Sequence, residues 1–200
     1  MTMKTTLLYI TTLAILASAA LTSCDKKVHY NLDPTMLDFH FALRCSREMM
    51  EVADIEVTYA DSVGKIITDT ITIDKMDVLN EHHEYVDGTK YDDTTSMVIW
   101  TYILRIDSVP TRLYIVPRFL PKPISEENKD RMYSLQCEVN FQCMSGAFYS
   151  YRKADFPLER VRGSKIKPLF DIVNEEPMTL DYTLQPKRTE PGNYELVENK

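Results

Sequence analysis

Cysteine and histidine are the residue types in this chain with the widest chemistry, and their positions point first to lipid attachment. Cys24 follows Leu21-Thr22-Ser23 behind an apolar run, Leu7 to Ala20, that is preceded by Lys4. This order is typical of a bacterial lipoprotein signal, in which the chain is cleaved before the cysteine and the cysteine is acylated. We therefore predict a cleaved signal peptide at residues 1–23 and a lipid anchor, of the palmitate type, on Cys24.

The other three cysteines are predicted to lie in a β-sheet core. Cys45, Cys137 and Cys143 each fall in the apolar row of a segment whose residues alternate between apolar and polar. A buried cysteine behaves as a small apolar residue. The sequence leaves two states open: buried thiols, or one disulfide that joins Cys45 to Cys137 or Cys143. The disulfide requires a Cα separation below about 7 Å.

His82 and His83, bracketed by Glu81 and Glu84, form the one cluster that suggests a metal. Adjacent side chains point about 100° apart on a helix and to opposite faces of a strand, so neighbours rarely share an ion. The sequence also lacks a Gly-rich phosphate loop and a Gly-x-Ser-x-Gly nucleophile motif. We predict no catalytic residues, no cofactor and no metal site. An envelope hydrolase or metal-dependent enzyme that uses acidic residues with His82 or His83 is the alternative.

The elements that position these residues are predicted to be β-strands. Alternation or apolar runs bounded by turn residues predict strands at Leu37–Cys45, Asp54–Ala60, Lys65–Ile73, Ser96–Ile106, Leu113–Val116, Tyr133–Cys143, Phe148–Tyr151 and Met178–Leu184. Six to eight such strands favour an all-β fold, an antiparallel β-sandwich of immunoglobulin-like style. The predicted domain covers residues 35–186, between a lipidated tether at 24–34 and a polar tail at 187–200.

Three connections carry specific predictions. Asp61-Ser62-Val63-Gly64 is predicted to close a tight hairpin, with Ile67, Ile71 and Ile73 of the next strand pointing inward. The prolines after Val116 predict an edge strand that leaves the sheet. A helical turn is predicted within residues 124–131.

Residues 74–95 are predicted to form a long exposed loop, with a helical turn near residues 76–80. Tyr85 and Tyr91 are its candidate contact residues, because a loop of this length in a small domain is functional or disordered. Tyr149 and Tyr151, by contrast, are predicted to share the inward row of the preceding strand, unless Ser145-Gly146 inserts a bulge. Trp100 is predicted to be a core residue.

The charge excludes one class of partner. The chain carries 23 Lys and Arg against 30 Asp and Glu, a net charge of −7. Nucleic acid requires a basic surface, so it is not an expected partner. The expected partners are the membrane, through Cys24, and an envelope protein or glycan.

The lipoprotein signal, the short polar tether and the segment Glu51-Val52-Ala53-Asp54-Ile55-Glu56-Val57-Thr58-Tyr59 to Gly64-Lys65 together resemble the small, uncharacterised lipoproteins of Bacteroidetes. The resemblance implies an immunoglobulin-like sandwich, a cell-envelope location with the outer membrane favoured, and a binding or structural role. It leaves open the periplasmic or the surface side of that membrane. It also implies O-glycosylation at Asp-Ser/Thr motifs, for which Ser62 and Thr94 are the candidates.

Overall fold

The structure is a computed structural model that describes residues 37–79, 85–86, 97–145 and 148–200. Within these residues the chain forms eleven strands and two α-helices. In chain order they are β1 (Asp38–Ser46), α1 (Arg47–Val52), β2 (Ala53–Ala60), β3 (Ile66–Ile71), β4 (Asp77–Leu79), β5 (Tyr85–Val86), β6 (Met97–Arg105), β7 (Thr111–Pro121), β8 (Met132–Ser145), β9 (Phe148–Arg162), α2 (Gly163–Glu175), β10 (Leu180–Pro186) and β11 (Tyr194–Glu198). Single 3₁₀ turns occur at Ile73–Lys75 and Glu126–Asn128.

The strands form two antiparallel sheets that share one hydrophobic core. One sheet has the order β5-β4-β6-β1-β8-β9 and the other the order β11-β10-β7-β2-β3. The core joins Phe41 and Val139 of the first sheet to Ile55 and Ile115 of the second. This confirms the predicted antiparallel β-sandwich. The strands exceed the six to eight predicted because β4, β5 and β11 lie in segments that had been predicted as loop and tail.

Rows of buried residues at every second position define the strands at the centre of the six-stranded sheet. On β1, Phe39, Phe41, Leu43 and Cys45 are buried, while His40 between them is exposed. On β8 the odd-numbered residues from Tyr133 to Cys143 are likewise buried. The three cysteines that the structure describes are free thiols with no exposed surface, which confirms their predicted inward orientation. Desolvation raises the pKa of Cys143 to about 11.

The hairpin between β2 and β3 forms as predicted. The Asp61 carboxylate accepts hydrogen bonds from the backbone N–H groups of Val63 and Lys65, at 3.0 and 2.8 Å. Gly64 has a φ of 78°, a conformation that favours glycine. On β3, Ile71 is buried and Ile67 packs against the core. The inward prediction for Ile73 is wrong because the strand ends before it, and this residue is 41% exposed in a 3₁₀ turn.

The prediction that Leu113–Val116 is an edge strand is wrong, because β7 lies between β10 and β2. Its pairing with β10 ends at Ile115, however, so from Val116 onward β2 is its one neighbour among the strands that the structure describes. On the unpaired side, the Asn174 side chain accepts from Phe119 N at 2.9 Å and donates to Phe119 O at 2.7 Å. Residues two apart direct their backbone groups to the same side of a strand. The missing N–H of Pro117 therefore faces that unpaired side and breaks no ladder bond.

A helix that the sequence pattern did not predict follows β9. Helix α2 begins at Gly163, where a Cβ would collide with the carbonyl oxygen of Asn128. Ile166 and Phe170 are its large buried residues, and the Phe170 ring stacks on Phe119 of β7 at a centroid distance of 4.9 Å. Two anchoring residues one turn apart give a weak helical period, and Pro168 inside the helix obscures it further.

Two more segments differ from their predictions. Residues 187–200, predicted to be a polar tail, contain β11, which pairs with β10 from Tyr182↔Glu198 to Pro186↔Tyr194. The helical turn expected near residues 76–80 is wrong: Asp77–Leu79 is strand β4, paired with β6. The turn expected within residues 124–131 is confirmed at Glu126–Asn128.

Candidate functional site

The outer face of the β8–β9 hairpin carries large apolar side chains that the core does not use. Met144 on β8 pairs with Tyr149 on β9, and Gln142 pairs with Tyr151. Met144 is 74% exposed, Tyr149 71% and Tyr151 37%. We call these four side chains, Gln142, Met144, Tyr149 and Tyr151, the tyrosine face.

Strand register places both tyrosines outside, contrary to the sequence prediction. Ser150 pairs with the inward Cys143 and is buried, so its neighbours Tyr149 and Tyr151 point outward. Alternation within Phe148–Tyr151 fixes which residues share a face but not which face is inside. Met144 follows a run of polar residues, from Ser134 to Gln142, in the outer row of β8, and this apolar residue was the signal that the face contains more than solvated side chains.

A hydrogen-bonded network lies next to the tyrosine face and holds Tyr151 in place. Glu138 Oε1 accepts from Asn140 Nδ2 at 2.7 Å and from the Tyr151 hydroxyl at 3.4 Å, and Lys153 Nζ lies 3.8 Å from Glu138 Oε2. Desolvation, followed by the negative charge of Glu138, raises the pKa of the Tyr151 hydroxyl. That hydroxyl therefore stays protonated and acts as a donor across the neutral pH range.

Arg44 supplies an unused donor beside this network. It pairs in register with Glu138 across the β1–β8 ladder and with Ile99 across the β1–β6 ladder. Its Nε is buried and has no hydrogen-bond partner among the described residues. A buried donor without a partner costs about 1–3 kcal/mol.

The outer face also carries balanced charges. Arg44 and Lys153 are interleaved with Glu138 and Asp155, in the rows Arg44↔Glu138↔Asp155 and Asn140↔Lys153. Such a face has no excess of one sign that would select a polyanion or a polycation.

A concave site exists elsewhere, and its charged groups already hold the fold together. It has a volume of about 220 Å³ and is lined by Glu51, Pro123, Ile124, Ser125, Asn128, Arg131 and Tyr133. Arg131 pairs with Glu51 at 3.0 Å and with the buried Glu48 at 3.3 Å. Glu48 also accepts from Ser134 N at 2.6 Å, which fastens α1 to β8. These contacts give the cluster a structural role.

The structure describes only two of the other predicted site residues, Ser62 and Tyr85. Ser62 lies half-buried in the β2–β3 turn. Tyr85 lies on β5, where the structure describes the backbone alone. Cys24, His82, His83, Tyr91 and Thr94 lie outside the described residues.

The described residues contain no group of three or more His, Cys, Asp or Glu side chains placed to hold a metal ion. None of the helices they form is long and apolar enough to span a membrane.

Comparisons of the chain with protein-family models, with curated proteins and with solved structures found no match. The functional conclusion therefore depends on the surface chemistry described above. The most distinctive part of that surface is the tyrosine face with Arg44 and Glu138 beside it.

Proposed function

We propose that this protein is a non-catalytic binding module of the bacterial cell envelope, anchored by lipid on Cys24, that holds a protein partner on its tyrosine face. The observation that carries the proposal is the pairing of Met144 with Tyr149 on a sheet face that leaves more than two thirds of each side chain exposed, at 74% and 71%. These two side chains contribute little to the stability of the fold, because the hydrophobic free energy scales with the area removed from water and most of their area stays exposed.

The residue types favour a protein as the partner. Tyrosine, methionine and arginine are enriched at protein–protein interfaces, and tyrosine and arginine dominate their energetic hot spots. The tyrosine face with Arg44 beside it supplies all three. Its charged neighbours Lys153 and Asp155 provide the polar rim that surrounds such a centre.

Pre-organisation also supports binding. The Tyr151 hydroxyl donates to Glu138, which Asn140 holds in turn, so the Tyr151 ring is ordered before a partner arrives. Binding then costs less side-chain entropy on this protein's side of the interface, a saving of about 0.5–1.5 kcal/mol for a side chain that is already ordered.

The sequence signal supports the proposed location. The apolar run and the Ser23-Cys24 junction support export and acylation, and the resemblance to envelope lipoproteins favours the outer membrane. One acyl group alone gives weak membrane binding, so acylation of both the thiol and the amine of Cys24 is the arrangement that would anchor the domain stably.

Site-specific photocrosslinking in intact cells tests the proposal. A photoreactive phenylalanine analogue at Tyr149 or Met144 is expected to capture one defined protein. The same analogue at Ile66 or Val197, which are 45% and 41% exposed on the five-stranded sheet, is not expected to capture it. Equal capture from both sheets would contradict the proposal, and so would capture of glycan alone at Tyr149.

The partner identified in this way permits a quantitative test. Tyr149→Ala combined with Tyr151→Ala is expected to weaken binding at least about tenfold, since hot-spot aromatics contribute more than about 1.4 kcal/mol. Ile66→Ala serves as the matched control and should leave binding unchanged. Unchanged affinity in the double variant would refute the assignment of this face.

A further inference from the structure

Two of the buried thiols lie directly opposite each other on neighbouring strands. Cys45 of β1 and Cys137 of β8 are partners in the antiparallel ladder, and neither has any exposed surface. Cys143, by contrast, is paired with Phe39.

The backbone contacts identify which kind of pair Cys45 and Cys137 form. Gln136 N donates to Ser46 Oγ at 3.2 Å, and Ser134 O accepts from the same hydroxyl at 2.8 Å. The backbone groups of the even-numbered β8 residues therefore face β1, and those of Cys137 face β9. Cys45 and Cys137 are thus a non-hydrogen-bonded pair, the kind in which the Cα atoms approach to roughly 4.5 Å. That separation lies inside the range of about 4.4–6.8 Å found in disulfides.

The same register rules out the other pairings. Cys143 lies six residues beyond Cys137 on one strand, a distance of roughly 20 Å at the strand rise. It is about as far from Cys45, because Cys45 is in register with Cys137. Both distances exceed the roughly 7 Å limit for a bridge.

We propose that Cys45 and Cys137 form a cross-strand disulfide when the chain folds in an oxidising compartment, while Cys143 remains a thiol. The inference rests on the proposed envelope location for its occurrence in the cell, since disulfides persist in such compartments and not in the cytosol. The structure holds both cysteines in the reduced form, with Cys45 Sγ directed at Met76 Sδ at 3.9 Å. Formation of the bridge requires the Cys45 side chain to rotate away from Met76 toward β8.

The oxidant is a disulfide, either that of a protein thiol oxidase or oxidised glutathione. One cysteine thiolate attacks this disulfide, forms a mixed disulfide and releases one thiol. The second cysteine, as its thiolate, then attacks the protein sulfur of the mixed disulfide and releases the other thiol. The protein loses two electrons and two protons, and the oxidant gains them. Because both cysteines are fully buried in the folded sheet, the exchange takes place while β1 and β8 are still pairing.

The pairing can be tested on the full chain without knowledge of its location. The protein is unfolded in reductant, refolded in a mixture of reduced and oxidised glutathione, and quenched with acid. Free thiols are then alkylated under denaturing conditions and the peptides are mapped. A crosslinked Cys45–Cys137 peptide pair with an alkylated Cys143 is expected. Alkylation of Cys45 and Cys137, or a bridge to Cys143, would overturn the inference.

A matched pair of variants separates the disulfide from general damage to the core. Cys137→Ala and Cys143→Ala truncate buried side chains on the same strand. Reductant should lower the urea midpoint of the wild-type protein and of Cys143→Ala and leave that of Cys137→Ala unchanged. A midpoint that does not respond to reductant in the wild type, after oxidative refolding, would refute the proposal.

The same peptide mapping on protein purified from whole, unfractionated cells distinguishes the two proposals. A glutathione-refolded disulfide together with an unmodified Cys24 in cells would contradict the envelope location and leave the disulfide supported. Acylated Cys24 together with alkylated Cys45 and Cys137 would contradict the disulfide and leave the anchor supported.

Discussion

Replacement of Asp181 by asparagine should destabilise the five-stranded sheet by about 1–2 kcal/mol at neutral pH. Asp181 on β10 accepts from Arg112 Nε at 2.8 Å and Arg112 Nη2 at 2.5 Å, a bidentate pair that joins β10 to β7. It also accepts from Asn199 Nδ2 at 2.7 Å, which ties the end of the chain to β10. The Asp181→Asn substitution keeps the shape of the side chain and removes its charge.

The magnitude follows from burial. The Asp181 side chain is 17% exposed and that of Arg112 is 46% exposed, so the pair lies between a buried and a surface ion pair. Hydrogen bonds to charged groups contribute about 1.5–3 kcal/mol, and exposed ion pairs about 0.2–1 kcal/mol. The expected value of about 1–2 kcal/mol, divided by a urea slope of about 2 kcal/mol/M, lowers the unfolding midpoint by about 0.5–1 M.

The destabilisation caused by Asp181→Asn should decrease as the pH falls. The Arg112 hydrogen bond lowers the pKa of Asp181 below its ordinary value of 3.8. A carboxyl group whose pKa is lower in the folded state stabilises the fold above the unfolded-state pKa, about 3.9, and loses this contribution as pH falls through the folded-state pKa. The difference between wild type and Asp181→Asn should therefore be constant from pH 7 to about pH 5 and shrink below about pH 4.

Urea unfolding followed by the fluorescence of Trp100, the chain's one tryptophan, measures this difference at each pH. Asp38→Asn is the matched control, because Asp38 also forms a two-bond pair with an arginine, Arg105, on the neighbouring strand. That pair is more exposed, at 35% and 71%, so its loss should be smaller. Equal losses in the two variants, or a difference for Asp181→Asn that persists unchanged at pH 3, would refute the reasoning.

Substitutions at three further positions test the packing of α2. Phe170→Ala should cost about 3–5 kcal/mol in urea unfolding, because it leaves a cavity beside Phe119, while Phe170→Leu should cost less. Asn174→Ala should cost about 1–3 kcal/mol by leaving the Phe119 N–H and C=O without their partner, and a loss below about 0.5 kcal/mol would mean that water replaces it. Gly163→Ala should cost about 1–3 kcal/mol in thermal or urea unfolding because its Cβ collides with Asn128 O, and an unchanged midpoint would contradict this close approach.

Strands with one buried face were predictable from the sequence. Alternation located β1, β2 and β8, and the Asp61–Gly64 signal located the hairpin, since each feature is fixed by residues close together in the chain. The position of β7 between β10 and β2 was not predictable, because Pro117 is tolerated only where the pairing with β10 has already ended. On that side the backbone of Phe119 is bonded instead by Asn174, 55 residues away in the chain. Neither feature is visible in the local sequence pattern.

The candidate site was missed for a related reason. Period-two alternation predicts that Tyr149 and Tyr151 share a face, and pairing across the hairpin decides which face it is. Ser150 occupies the inward position because it stands opposite Cys143. A shift of one residue in this register would bury both tyrosines and expose Ser150, so no local property of β9 distinguishes the two outcomes.

The composition of β9 favours recognition by its face over recognition by its free edge. This strand is the last in its sheet, and an open edge would pair with any extended chain. Lys153, Asp155 and Pro157 lie along it, and its register with β8 shifts near Phe156, features that discourage edge pairing. The large exposed side chains Tyr149 and Met144 are instead directed away from the sheet, where strand pairing does not use them. A partner is therefore expected to bind through side-chain contacts on the face and not by strand pairing at the edge. This supports the choice of Tyr149 as the first crosslinking position.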